Sequence, residues 1–267
     1  MERMTPLVPL DRGIEAVVRR ERTVVALSLA LIVLLAWLYL IADAAHMNRA
    51  APPATTSGDA TFTSAVEVAA FGFLMWSIMM IGMMLPGAAP TVLLYAALAR
   101  KSADRRKVLP SVSVFVAGYL VVWIGFSFAA ALMQLGLERS ALLSPTSMTT
   151  IAPLGGLVLI AAGIYQWSRP KSACLIRCRN PLEFFLIRWR VGAGGAFRMG
   201  VEHGAFCLGC CWLLMLLLFV TGVMNLIWVA LIAGFILVEK LLPAGSRIGG
   251  IVGGALVAAG VYHLTMQ

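Results

Sequence analysis

The sequence predicts an all-α fold, a polytopic membrane helix bundle of about seven transmembrane helices, and three observations carry the prediction. Of the 267 residues, 61% are hydrophobic and only 12% charged, about half the charged share of an ordinary soluble domain. Seven apolar stretches qualify as spans, since a helix rising about 1.5 Å per residue needs about 20 residues to cross hydrocarbon about 30 Å thick. The basic residues alternate from loop to loop along the chain. Mean hydropathy is +0.91, which belongs to a chain solvated mostly by lipid.

The spans fall at 24–42, 69–98, 112–135, 154–167, 205–223, 226–242 and 248–264. A basic arm, 1–23, precedes them, and residues 24–267 form a single transmembrane helical domain. The first span has the outline of a signal peptide. Its apolar run is about 19 residues, however, beyond the about 7–15 of a signal sequence, so it is read as an uncleaved helix. The second is too long for one straight crossing and holds Pro86 and Pro90. Each proline removes a helix hydrogen bond, which predicts a tilt or kink. Residues 49–63, rich in Pro, Thr, Ser and Gly, read as a short outer loop.

Charge tests this threading. The arm carries Arg3, Arg12, Arg19, Arg20 and Arg22. The connection between spans two and three carries Arg100, Lys101, Arg105, Arg106 and Lys107. The segment 168–204 carries Arg169, Lys171, Arg177, Arg179, Arg188, Arg190 and Arg198, and Lys240 and Arg247 flank the last connection. Only Arg49 and Arg139 fall on the other set of loops. Because inner loops retain Lys and Arg, the N-terminus is expected inside and the C-terminus outside. The net charge of +9 is then a topology signal that meets anionic lipid, with no nucleic acid partner.

All five cysteines lie between 174 and 211. Cys174 and Cys178 sit in the inner segment. Leu182–Arg190 follows, a stretch that could lie as an amphipathic helix in the interface. His203, Cys207 and either Cys210 or Cys211 then follow at i, i+4 and i+7 or i+8, which is one helix face. An odd number of thiols beside a reducing compartment argues against a disulfide framework. Thiolates with an imidazole suit soft or borderline metals such as Cu(I) or Zn(II). The plain alternative is that cysteine packs as a small buried residue.

Span two holds Met75, Met79, Met80, Met83 and Met84. At about 100° per residue they cover a half-cylinder. Thioethers can bind Cu(I) without placing charge in lipid, or can serve as flexible packing around a kink. Asp43, His46 and Met47 read as interfacial residues or an outer metal-entry site. Glu239 and Lys240 read as boundary charges closing span six, with Glu239 able to pair with an inner basic residue or carry protons. Gly249-x3-Gly253 and Gly250-x3-Gly254 permit close helix approach. No phosphate loop, metalloprotease motif or nucleophile turn occurs, and no enzymatic role is expected.

Three segments, Met75–Pro90, Ala173–Pro181 and His203–Asn225 followed by Glu239-Lys240-Leu-Leu-Pro, closely resemble a bacterial family. That family is catalogued as a domain of unknown function and described as predicted metal-binding integral membrane proteins. The resemblance implies a multi-pass protein of the bacterial inner membrane with bound metal. Its implied ligands are Met75, Met79, Met80, Met83, Met84, Cys174, Cys178, His203, Cys207, Cys210 and Cys211. The leading expectation is a soft-metal binder, Cu(I) before Zn(II), serving transport or delivery to another membrane protein. The alternatives are a metal-free assembly subunit, which a homo-oligomer would also suit, and a thiol redox sensor.

Overall fold

The computed structural model describes residues 10–49, 62–102, 108–143 and 149–266. The first part of the basic arm, nearly all of the expected outer loop and Arg105, Arg106 and Lys107 lie outside the described residues. Ten helices follow in chain order: α1 (Leu10–Arg49), α2 (Phe62–Ser102), α3 (Val108–Arg139), α4 (Ala152–Gln166), α5 (Arg169–Arg179), α6 (Pro181–Arg188), α7 (Gly192–Leu216), α8 (Leu218–Thr221), α9 (Leu226–Leu241) and α10 (Gly245–Thr265). Among the described residues, the extended structure is an isolated bridge between Leu143 and Thr150.

Five of these segments are long and apolar enough to cross a membrane: Arg22–Ala45, Ala69–Arg100, Val108–Arg139, Gly192–Thr221 and Gly245–Thr265. The spans expected at 154–167 and 226–242 fall on α4 and α9, apolar helices of 15 and 16 residues. Both are shorter than the about 20 residues of a straight crossing. The bundle's exterior is apolar: Leu27, Leu31, Leu34 and Leu38 of α1 point outward while Val25, Leu29 and Leu40 are buried. Apolar surface on this scale suits a hydrocarbon surrounding rather than water.

α2 continues through Pro86 and Pro90 as one helix. Two other elements differ from expectation. α7 begins at Gly192 rather than near 205. Glu202 interrupts its apolar run, but the carboxylate meets Arg188, Arg190 and Arg198 at 3.2, 3.7 and 3.4 Å, so the helix need not end there. Residues 169–179 are helical, with Pro170 in the first turn and the Ser168 side chain accepting the Lys171 backbone N–H at 3.3 Å. That is an N-cap, which satisfies one of the first-turn N–H groups. The expected amphipathic stretch at 182–190 is largely α6, which turns Phe184 and Phe185 inward and Leu186 and Ile187 outward.

Glycine sets the two tightest crossings. A Cβ added to Gly200 would collide with the Phe115 carbonyl oxygen, and one on Gly118 with the Phe197 carbonyl oxygen, so α3 and α7 touch backbone to backbone. A Cβ on Gly163 of α4 would lie 2.6 Å from the Gly253 carbonyl oxygen of α10. The first glycine pair expected in span seven thus faces inward, Gly249 and Gly253 both being buried, while Gly250 and Gly254 lie against the Trp167 ring. The C-terminal part of α9 meets α10 and α5 at one end, where Arg179 donates to the Leu242 carbonyl at 2.7 Å. α5 also packs on α7. This junction of α2, α3, α5, α7 and α9 holds the candidate site.

Candidate metal centre

The expected helix face on α7 forms, and it points inward: His203, Cys207, Cys210 and Cys211 are all 2% exposed or less. Cys207 is the centre of the group. Lys240 Nζ, from α9, donates to its Sγ over 2.8 Å, and the Tyr119 hydroxyl, from α3, lies 3.1 Å from the same sulfur. Tyr119 also donates to the Met84 carbonyl at 3.0 Å. The thiols of Cys210 and Cys211 donate to the Cys207 carbonyl, each at 3.0 Å, and the Cys211 sulfur lies 3.9 Å from Met84 Sδ. The five free thiols include no disulfide.

α5 brings a further thiol over this group. Hydrogen bonding with Cys207, and then with Cys210, together with burial, holds the Cys178 thiol protonated well above the ordinary cysteine range. Cys174 sits differently. It is partly exposed and packs on α7 at Gly209, where an added Cβ would fall 2.7 Å from its sulfur. Burial, then the neighbouring Cys210, raises its pKa, against a smaller lowering by Arg177. A side chain at 209 would displace the Cys174 sulfur.

Of the five methionines expected as ligands, Met84 reaches a thiol. Met75, Met79, Met80 and Met83 are buried in the same core along α2. His203 stacks loosely among Phe115, Tyr119 and Phe184, with ring centroids 6.4, 5.9 and 5.7 Å away. Its Nδ1 is buried without a hydrogen-bond partner. A buried polar atom left unpaired is rare in folded proteins, and an imidazole nitrogen is a metal donor.

Glu239 and Lys240 do not behave as boundary charges. Both are buried, at 2% and 6% exposure. Because consecutive residues on α9 point in different directions, they take different partners. Glu239 accepts from Lys171 Nζ of α5 at 2.5 Å, and Lys171 also donates to Gln166 of α4. Lys240 turns to Cys207. The sequence marks Glu239 as able to pair with an inner basic residue but neither singles out Lys171 as that partner nor places Lys240 and Tyr119 at the thiols. The available signal was a charged pair within an apolar run, where any charge needs a partner. The outer group received less: the side chains of His46 and Met47 lie outside the described residues.

Thiols, a thioether and an unpartnered imidazole nitrogen are donors that suit soft or borderline metals, copper and zinc among them. Among the described residues no group of three or more His, Cys, Asp and Glu is gathered closely enough to hold an ion as it stands; the sulfurs instead bond to Lys240, Tyr119 and backbone. Fold and site together define an all-helical protein, with several helices apolar enough to cross a membrane and thiols clustered in its interior.

The chain belongs to the PpoB2 copper chaperone family, whose model matches residues 73–263. The matched region runs from the first part of α2 through most of α10 and leaves α1 outside. No curated protein and no solved structure matches the chain. The family is copper-related, and copper is among the metals expected from the sequence.

Proposed function

We propose that this protein is a membrane-embedded Cu(I) chaperone that binds copper at Cys178, Cys207, Cys210, Cys211 and Met84, with His203 Nδ1 as a further donor. The observation that carries the reading is a buried group of thiols in which Cys178 of α5 meets Cys207 and Cys210 of α7 and the Cys211 sulfur lies 3.9 Å from that of Met84 of α2. Thiolate and thioether sulfur select Cu(I) over harder ions. Membership of a copper chaperone family supports the same metal.

On this reading copper is cargo, and the protein performs no bond chemistry on it. Met75, Met79, Met80 and Met83 line the approach along α2, and Cys174, the more exposed thiol, stands at the way out. Exchange from sulfur to sulfur lets the ion move without leaving its ligands, and a second membrane protein receives it. The alternating basic loops support a seven-span arrangement in the bacterial inner membrane, with the thiol end facing the cytoplasm.

Elemental analysis of the detergent-purified chain, prepared under reducing conditions, tests the reading beside a Cys207→Ser, Cys210→Ser, Cys211→Ser variant. Near-stoichiometric copper in the wild type, lost in the variant, is the expected result. Unchanged copper in the variant refutes the ligand assignment. No metal in either sample after reconstitution with Cu(I) refutes the chaperone reading and favours a metal-free assembly subunit.

A further inference from the structure

We infer that Lys240 determines which ion the centre accepts: its fixed ammonium beside Cys207 discriminates against divalent cations and in favour of Cu(I). The inference rests on the copper-binding reading above and extends it to selectivity. The adjacent carboxylate, Glu239, makes its ion pair with Lys171 at 2.5 Å, and among the described residues the ammonium's hydrogen bond goes elsewhere. The ammonium donates to Cys207 Sγ at 2.8 Å. It is also held there. The Lys240 side chain packs against α2 at Gly87, where an added Cβ would lie 3.3 Å from Cδ and 3.5 Å from Nζ.

Any ion that takes Cys207 as a ligand therefore arrives within a few ångströms of a positive charge that is 6% exposed. Cu(I) held by two thiolates carries one net negative charge, and Lys240 balances it. Zn(II) on the same two thiolates is neutral and leaves the ammonium uncompensated in an apolar interior. Each further unit of charge on the ion meets a repulsion worth about a thousandfold in binding, for charges about 4 Å apart at an effective dielectric of about 20. Ligand softness alone does not supply this preference, because thiolates also bind zinc well.

The test compares the full-length wild type with Lys240→Leu and Lys240→Gln in detergent under anaerobic, reducing conditions. Cu(I) and Zn(II) affinities are measured separately by competition with chromophoric chelators. Lys240→Gln keeps an unbranched side chain and an N–H donor, so it stands in if the leucine variant fails to fold. Comparing variants cancels the thiolates' own attraction to each ion. Removing the charge is expected to lower the ratio of Cu(I) to Zn(II) affinity by at least about tenfold, with zinc binding strengthened. A ratio that stays within about threefold of wild type while Cu(I) still binds overturns the inference alone. A wild type that binds no Cu(I) overturns the functional reading and this inference with it.

Discussion

Replacing Gly200 with alanine drives a methyl carbon into the Phe115 carbonyl oxygen and within 3.0 Å of both the Phe115 carbonyl carbon and the Tyr119 amide nitrogen. These are backbone atoms of α3, so no rotamer change relieves the contact. The helices have to part by about 1 Å, which forfeits a quarter to a half of each dispersion contact across the seam. Overpacking typically costs about 1–3 kcal/mol. The upper figure applies here, because Gly118 makes the reciprocal approach to Phe197 and leaves the seam no slack. Alanine returns about 1 kcal/mol of helix propensity, so the net loss is about 2 kcal/mol. Gly125 of α3 provides the contrast, since an added Cβ there meets nothing within 4 Å. Gly125→Ala carries only the propensity gain, and the two variants should differ by about 3 kcal/mol. Denaturant unfolding in micelles, followed by far-ultraviolet circular dichroism, reads the difference. Equal stability of the two variants would refute the claim that backbone contact sets the α3–α7 distance.

Three further outcomes follow from named contacts. Lys171→Met leaves Glu239 buried without its ion partner, at a cost of about 3–5 kcal/mol. The Lys171→Met, Glu239→Gln double variant should recover much of that; unfolding curves in which the double variant is the less stable count against a buried pair. Maleimide should modify Cys174 first, because it is partly exposed, and Cys178 much later. The raised pKa of Cys178 reduces its thiolate at neutral pH, and its sulfur is covered; equal labelling rates by mass spectrometry contradict the placement of α5. Gln134→Leu removes the acceptor of the Trp76 indole N–H, 2.7 Å away, and the donor to Glu138, 2.9 Å away. It should cost about 1–3 kcal/mol, and a shift in tryptophan emission without a stability change would sink that account.

Much of the helical framework was legible because hydropathy is local. The runs in α1, α2, α3, α7 and α10 announce themselves over windows longer than a helical crossing. α5 was not legible as a helix: Arg169-Pro-Lys-Ser-Ala-Cys-Leu-Ile-Arg-Cys-Arg179 is polar and short. Its order comes from the Ser168 cap and from packing on α7. The α7 face was legible in the spacing of His203, Cys207, Cys210 and Cys211, since helical periodicity alone places them together. The choice of Met84 among five methionines was not, because each of them is apolar and each is buried or nearly so.

The sequence by itself determined the solvent this protein prefers, the face on which its thiols stand and the softness of its candidate donors. These follow from composition and from spacings of a few residues. Only the tertiary structure decided what the thiols touch. Cys207 meets Lys240 across 33 positions and Cys211 meets Met84 across 127. Neither contact leaves a trace in local periodicity. Both depend on how closely α2, α3, α7 and α9 approach: α3 and α7 meet backbone to backbone at Gly118 and Gly200, and Gly87 of α2 leaves room for the Lys240 side chain of α9. A charge such as Lys240 reads in the sequence as the edge of a membrane span. It becomes the buried partner of a thiol only when helix packing encloses it against a sulfur instead of water.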